Sequence, residues 1–197
     1  RIISSIILIP IVLFFIIKGT FFFIFFICIC FCIISYEWHM MSKNQPYYFY
    51  GLLFLFFSFL TIYSLRIDTN DYLATLFVAT ICVSTDIGGY FFGKLFKGPK
   101  LTKYSPNKTY AGMFGGYFLS LTSVTVIPLF KLDLFQFNEF LFVIGISSVS
   151  QIGDIIISYF KRLSKIKDTG KIIPGHGGLL DRVDGMIFAF PFTFIII

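Results

Sequence analysis

Charge is what this sequence lacks: only 13% of its 197 residues are Asp, Glu, Lys or Arg. A water-soluble domain of ordinary composition carries roughly 25%, so a fully hydrated surface is excluded. Histidine occurs twice and tryptophan once. The four cysteines do not form a metal or disulfide framework. Cys28, Cys30 and Cys32 alternate in one apolar run with no histidine nearby, and Cys82 lies in another. Residues two apart on a helix point to different faces, so these read as small lipid-facing side chains. There is no internal repeat, and no stretch between apolar runs is long enough for a soluble domain.

What is present is apolar surface. Hydrophobic residues make up 57% of the chain and aromatic residues 21%. Seven apolar segments stand at about 2–17, 20–36, 47–65, 72–93, 110–130, 138–160 and 183–197. A membrane-crossing helix needs about 20 such residues, and a soluble helix is rarely apolar on every face for that length. The pattern predicts an all-α, polytopic integral membrane protein with about seven transmembrane helices. The first two segments, parted by little more than Lys18, Gly19 and Thr20, form a tight hairpin or one broken element. The phenylalanine run 21–26 reads as lipid-facing filler. No small-residue cleavage site follows the first segment, which argues against a signal peptide. The sequence begins at Arg1 without Met, as expected of a fragment or a short form. We divide the chain into N-terminal transmembrane helices, 1–71, and a C-terminal catalytic region, 72–197.

The net charge of +6 points to membrane topology and anionic substrates rather than to nucleic acid, because the basic residues sit in loops. Loop 94–109 holds Lys94, Lys97, Lys100, Lys103 and Lys108 and no acid; loop 161–182 holds Lys161, Arg162, Lys165, Lys167, Lys171 and Arg182. Two spans separate these loops, so they face one side, and the positive-inside rule makes that side cytoplasmic. Counting back places Arg1 inside too. Loops 66–71 and 131–137 fall outside, with sparse, mixed charge.

Three acids lie in or at the edge of apolar segments: Asp86, Asp154 and Asp184. A carboxylate at a bilayer centre costs at least ~2.5 kcal/mol on insertion scales and usually faces a polar cavity or a partner. An interfacial position is the bland alternative, fairest for Asp184. Gln151, Asp154 and Ser158 share one helical stripe, which lines a cavity or packs on another polar stripe. Ser147, Ser148 and Ser150 extend that stripe or bond back to their own helix. Asp86 and Tyr90 form a second stripe, and Gly88, Gly89 and Gly93 admit close approach of a helix or ligand.

Loop 161–182 is the densest chemistry. Its Pro174, Gly175, Gly177 and Gly178 make a tight turn whose backbone N–H groups can approach phosphate, and its Lys and Arg residues supply charge for polyphosphate. Asp181 and Asp184 stand one helical turn apart, able to face Asp154. Carboxylate oxygens suit Mg²⁺, commonly held by one or two carboxylates plus substrate phosphates. A basic loop alone also fits a cytoplasmic anchor on anionic lipid, which leaves the interleaved acids and glycines unexplained. For His176 a binding or positioning role is preferred over general base, since a lipid phosphate monoester is already a nucleophile.

From Ser158 through Lys161, Arg162, Lys167, Asp168, Gly170, Pro174, His176, Gly177, Gly178, Asp181, Arg182 and Asp184, the chain resembles the signature of the phosphatidate cytidylyltransferases, the CDP-diacylglycerol synthases. An upstream stretch is also similar to that family: Asp86, Gly88, Gly89, Tyr90, Gly93 and Lys94, then Ser105, Pro106, Lys108, Thr109, Gly112, Gly115 and Gly116. It departs at Asn107, Ala111 and Gly89, where the family usually carries Lys, Glu and Ala. The resemblance covers roughly 80–190, and the N-terminal third offers only hydrophobic spans.

The resemblance implies transfer of a cytidylyl group from CTP to phosphatidate, giving CDP-diacylglycerol and pyrophosphate for phospholipid biosynthesis. It implies Mg²⁺ held by Asp154, Asp181 and Asp184, and a catalytic set that adds Lys167 and Asp168. Substrate would be bound by Ser105, Lys108, Thr109, Ser158, Lys161, Arg162, His176, Gly177, Gly178, Arg182, Asp86 and Tyr90. A monovalent cation such as K⁺ is implied beside Mg²⁺, with Ser158 placed to touch it. Expected partners are CTP, phosphatidate, membrane lipids and a second copy in a homodimer, with no nucleic acid. The expected location is a bacterial inner membrane, with the active site facing the cytoplasm. The rivals are a CTP-dependent enzyme acting on another lipid, an ion-coupled membrane transporter, and an inactive relative. Clustering of polar residues toward one face argues against transport, whose sites lie near the midplane. Retention of the acids argues against inactivity.

Overall fold

A computed structural model describes residues 2–18, 20–68, 72–123, 139–170 and 177–197. Its elements are α1 (Ile2–Ile17), α2 (Thr20–Ser42), α3 (Tyr48–Asp68), α4 (Tyr72–Phe96), α5 (Tyr110–Leu121), α6 (Glu139–Leu163), the single turn α7 (Leu180–Val183) and α8 (Met186–Ile196). Among the described residues there is no strand, and an isolated antiparallel bridge joins Lys100 to Thr109. The protein is an all-α integral membrane protein. Helices hide their backbone N–H and C=O groups internally, as lipid requires. Within the described residues four helical stretches are long and apolar enough to cross a bilayer: Phe21–Ser42, Tyr48–Ile67, Tyr72–Phe96 and Glu139–Leu163. The apolar helices α1, α5 and α8 are shorter, at 16, 12 and 11 residues.

Each of the seven apolar segments carries a helix, but four helices run past the apolar edge. α2 continues to Ser42 through Glu37 and His39, α3 to Asp68 through Arg66, α4 to Phe96 through Lys94, and α6 to Leu163 through Lys161 and Arg162. Leaving the hydrocarbon does not interrupt a helix's own hydrogen bonds, and long basic side chains reach the interface readily.

The chain forms two compact units, Arg1–Tyr72 with Lys161–Val183, and Leu73–Phe160 with Asp184–Ile197. In the first, α2 packs on α3 and touches α1 and α7. The α1–α2 contact is aromatic, with Phe15 stacked on Phe26 at 5.1 Å between ring centroids. Phe23, Ile34, Trp38, Leu55 and Leu65 are buried. Trp38 Nε1 donates to the Tyr48 carbonyl at 3.0 Å across the α2–α3 turn, and the Tyr47 hydroxyl meets Ser164 Oγ at 3.0 Å.

In the second unit, small residues let α4 and α5 approach closely, as membrane helix pairs commonly do. A Cβ on Gly88 would strike the Gly115 carbonyl oxygen, and one on Gly112 would lie 2.7 Å from the Gly89 oxygen. Helix α6 joins both: Ser147 Oγ accepts from Thr85 Oγ1 at 2.8 Å, and Ser148 Oγ meets the Tyr117 hydroxyl at 3.0 Å. Ser148 also donates back to Ile144 O at 2.7 Å, so this serine does both things expected of the stripe. Phe188 and Phe192 of α8 fill the space beside Gly153 and Gly145 of α6.

Candidate active site

The signature loop belongs to the first unit, and Asp181 is its hub. Asp181 Oδ1 accepts from Lys161 Nζ at 2.8 Å. Its Oδ2 accepts from the backbone N–H groups of Thr169 at 2.8 Å and Gly178 at 3.1 Å. Both side chains of the ion pair are sheltered, Lys161 at 11% and Asp181 at 8% exposure. Burial raises the Asp181 carboxyl, but the Lys161 hydrogen bond, the Thr169 N–H, the Lys161 charge and the Gly178 N–H outweigh it and hold the group below the ordinary aspartate range. Gly177, at φ 85°, occupies the left-handed region that favours glycine, and a Cβ there would sit 3.1 Å from Asp181 Oδ2.

A second carboxylate, from helix α2, holds the same loop. Glu37 of α2 is only 2% exposed. Its Oε1 accepts from Leu179 N at 2.9 Å, and its Oε2 accepts from Leu180 N at 2.8 Å and Thr169 Oγ1 at 3.2 Å. A buried carboxylate is tolerable only when paired or fully hydrogen-bonded, and these three donors meet that demand. The N–H groups of residues 178 to 180 are therefore given to Asp181 and Glu37. Sequence reasoning passed over Glu37 because the second apolar segment was ended at residue 36. The usable signal is an acid followed by Trp38, Met40 and Met41 in a still apolar stretch.

Around the loop the cationic heads are more open. Arg162, Lys165, Lys167 and Arg182 are exposed, as is Asp168; Arg162 Nη1 donates to Ile166 O at 3.3 Å. His176 and Lys171 lie outside the described residues, as does Pro174.

The second unit holds the upstream motif. Lys97 and Gly98, at φ 52° and 99°, end α4. The chain then doubles back, with Leu101 N donating to Lys108 O at 2.8 Å and Tyr110 N to Pro99 O at 3.2 Å. This turn carries Lys108 onto Asp154, and the two form an ion pair with side chains about a quarter exposed. Thr109 caps α5, its Oγ1 accepting from Gly112 N at 3.1 Å, and Ser105 N donates to Thr102 Oγ1 at 3.2 Å. Ser158, itself buried, approaches Asp154 Oδ1 at 3.4 Å. Gln151 Nε2 approaches Met113 O at 3.5 Å. The polar stripe of α6 thus packs on α4 and α5 along one part and presents Asp154 to Lys108 on another. Asp184 is 8% exposed and its Oδ1 accepts from Gly185 N at 2.9 Å. Asp86 and Tyr90 lie on the exposed surface of α4, and Lys94 Nζ stands 5.7 Å from the Tyr90 ring centre.

Among the described residues no three His, Cys, Asp or Glu side chains come together as a ready metal cage. Mg²⁺ does not need one, since it is commonly bound by one or two carboxylates plus substrate phosphates. Asp154 is the more accessible candidate, with a side chain about a quarter exposed, and it reaches a metal by releasing Lys108 from Oδ2. Asp181 has both oxygens engaged, so it reaches a metal only by releasing Lys161 or a backbone N–H.

The model of the cytidylyltransferase family matches residues 46–197. This chain belongs to that family. Among its relatives, a phosphatidate cytidylyltransferase of Rickettsia felis is 41% identical over 172 residues, covering 81% of this chain and 74% of that protein. One of Staphylococcus aureus is 34% identical over 183 residues, covering 87% and 67%. One of Brucella melitensis is 39% identical over 141 residues, covering 71% of this chain and about half, 52%, of that protein. The cytidylyltransferase match contains Asp154, Asp181 and Asp184 and begins nine residues after Glu37.

Proposed function

We propose that the chain transfers the cytidylyl group of CTP to phosphatidate, giving CDP-diacylglycerol and pyrophosphate. An oxygen of the lipid phosphate attacks the α-phosphorus of CTP. A new P–O bond forms, the bond from the α-phosphorus to the bridging oxygen breaks, and pyrophosphate leaves with that electron pair. The observation that carries this reading is the signature loop built around Asp181. Two backbone N–H groups and the Lys161 ammonium fix it, beside the exposed cations Arg162, Lys167 and Arg182. A rigid turn flanked by cations suits a polyphosphate, and its attachment to α6 and α2 keeps it beside the bilayer that holds the lipid substrate.

Arg162, Lys167 and Arg182 bind phosphate oxygens and orient the triphosphate, with His176 in a positioning role. Lys108, Ser105 and Thr109 serve the upstream contacts, Thr109 by capping the helix that follows. Asp154, Asp181 and Asp184 are the carboxylates proposed to hold Mg²⁺, Asp154 being the most accessible. When bound, the ion neutralises charge developing on the transferred phosphoryl group. A monovalent cation near Ser158, a homodimer, and a site open to the cytoplasm of a bacterial inner membrane complete the proposal. Catalysis is then positioning plus charge neutralisation.

Pyrophosphate release by the purified protein in detergent tests the reaction. Turnover is expected only with CTP, phosphatidate and Mg²⁺ together. Asp154→Asn and Asp181→Asn are expected to lose at least about 100-fold in kcat while remaining folded. Wild-type rates in both variants sink the metal assignment, and turnover without phosphatidate sinks the substrate.

A further inference from the structure

We propose that Glu37, on the N-terminal helix α2, is a positioning residue for the transfer site. It holds Thr169 and residues 178–180 in the form that presents Asp181 and Lys161. This rests on the proposed cytidylyl transfer for its kinetic consequence, though not for its structural one.

Two carboxylates divide the donors of one loop between them. Asp181 takes the N–H groups of Thr169 and Gly178. Glu37 takes those of Leu179 and Leu180, and the Thr169 hydroxyl. Thr169, 6% exposed, is held by both, through its N–H by one and its side chain by the other. Neither acid can move without dragging the loop against its counterpart. Two glycines of the signature are shaped around Glu37. A Cβ on Gly170 would lie 2.7 Å from Glu37 Oε1. One on Gly178 would lie 2.6 Å from Oε2 and would also strike Thr169 Oγ1. The loop is therefore moulded to a carboxylate supplied by a helix that lies before the family match at 46–197.

The chemistry at position 37 is specific. Each oxygen faces a donor, so a glutamine, isosteric but with one NH₂, must point donor at donor on one side. Aspartate keeps both acceptors and falls short by one methylene. A loop displaced by about 1 Å at a transfer site loses on the order of 100-fold in rate.

The experiment compares wild type, Glu37→Gln and Glu37→Asp in detergent, with kcat and KM for CTP taken per folded molecule well below each melting temperature. Amide hydrogen exchange over 177–181 is followed in parallel. For Glu37→Gln the expected result is a kcat about 10- to 100-fold lower, with KM for CTP within about threefold, and faster exchange at Leu179 and Leu180. Glu37→Asp is expected between the two, and it decides the matter if the glutamine variant does not fold. A structural role alone would lower the melting temperature and leave kcat of the folded fraction unchanged, which overturns the proposal, as does wild-type exchange over 177–181. If wild type itself turns over nothing with CTP and phosphatidate, the transfer reading fails while the exchange data still decide what Glu37 holds.

Discussion

Asp181 concentrates in one side chain what the basic loop does as a whole. An aspartate buried beside an apolar helix would ordinarily be neutralised by protonation. Here a lysine and two backbone N–H groups favour the charged form. The pH consequence follows from the sign of the shift. A carboxyl lowered in the folded state contributes stability that is fully present above the unfolded value of about 3.9 and is lost as pH falls through the lower folded value. Melting of wild type and Asp181→Asn is therefore expected to differ by a constant amount from neutral pH down to about 4. The difference should close only in stronger acid. A gap that closes already near pH 6 would mean that Asp181 is not held ionised by these partners.

Elements were legible where composition is extreme and less so where it changes. All seven apolar segments contain a helix, because nothing else satisfies the backbone over such runs in lipid. The apolar segments stop short of charged residues, whereas α2, α3, α4 and α6 run on through Glu37, Arg66, Lys94 and Lys161. Stopping α2 at 36 is what concealed Glu37. The stripe Gln151, Asp154 and Ser158 was readable from spacing. Its partners were not, since Met113 and Lys108 approach it only through the fold. The glycines were read as contact points, and the structure ranks them. A Cβ on Gly88 meets the Gly115 backbone oxygen, which cannot swing aside, whereas one on Gly89 finds the Gly112 oxygen at a comfortable 3.7 Å. Gly88→Ala is expected to destabilise the protein by about 1–3 kcal/mol and Gly89→Ala to leave melting in detergent unchanged. Equal effects would mean that α4 and α5 do not meet as described.

At the scale of the whole molecule, the proposed orientation puts both lysine-rich loops on the cytoplasmic side. Single cysteines replacing Lys103 and Lys165, in a chain whose four native cysteines are changed to serine, test this. Both are expected to react with a membrane-impermeant maleimide in inside-out vesicles and not in right-side-out ones. Labelling on opposite sides would break the topology. The bond between Glu37 and the signature loop also sets an order of events during synthesis. Leu179, whose N–H the acid receives, follows it by 142 residues. At about 5–20 residues per second, a ribosome needs roughly 7–28 s to deliver that N–H after Glu37 has been made. For that interval the newborn helix carries a carboxylate without its eventual donors. Water at the membrane edge, or the insertion machinery, must solvate it until the loop arrives, so the acid's place near the end of α2 matters to the making of the protein as well as to its finished form.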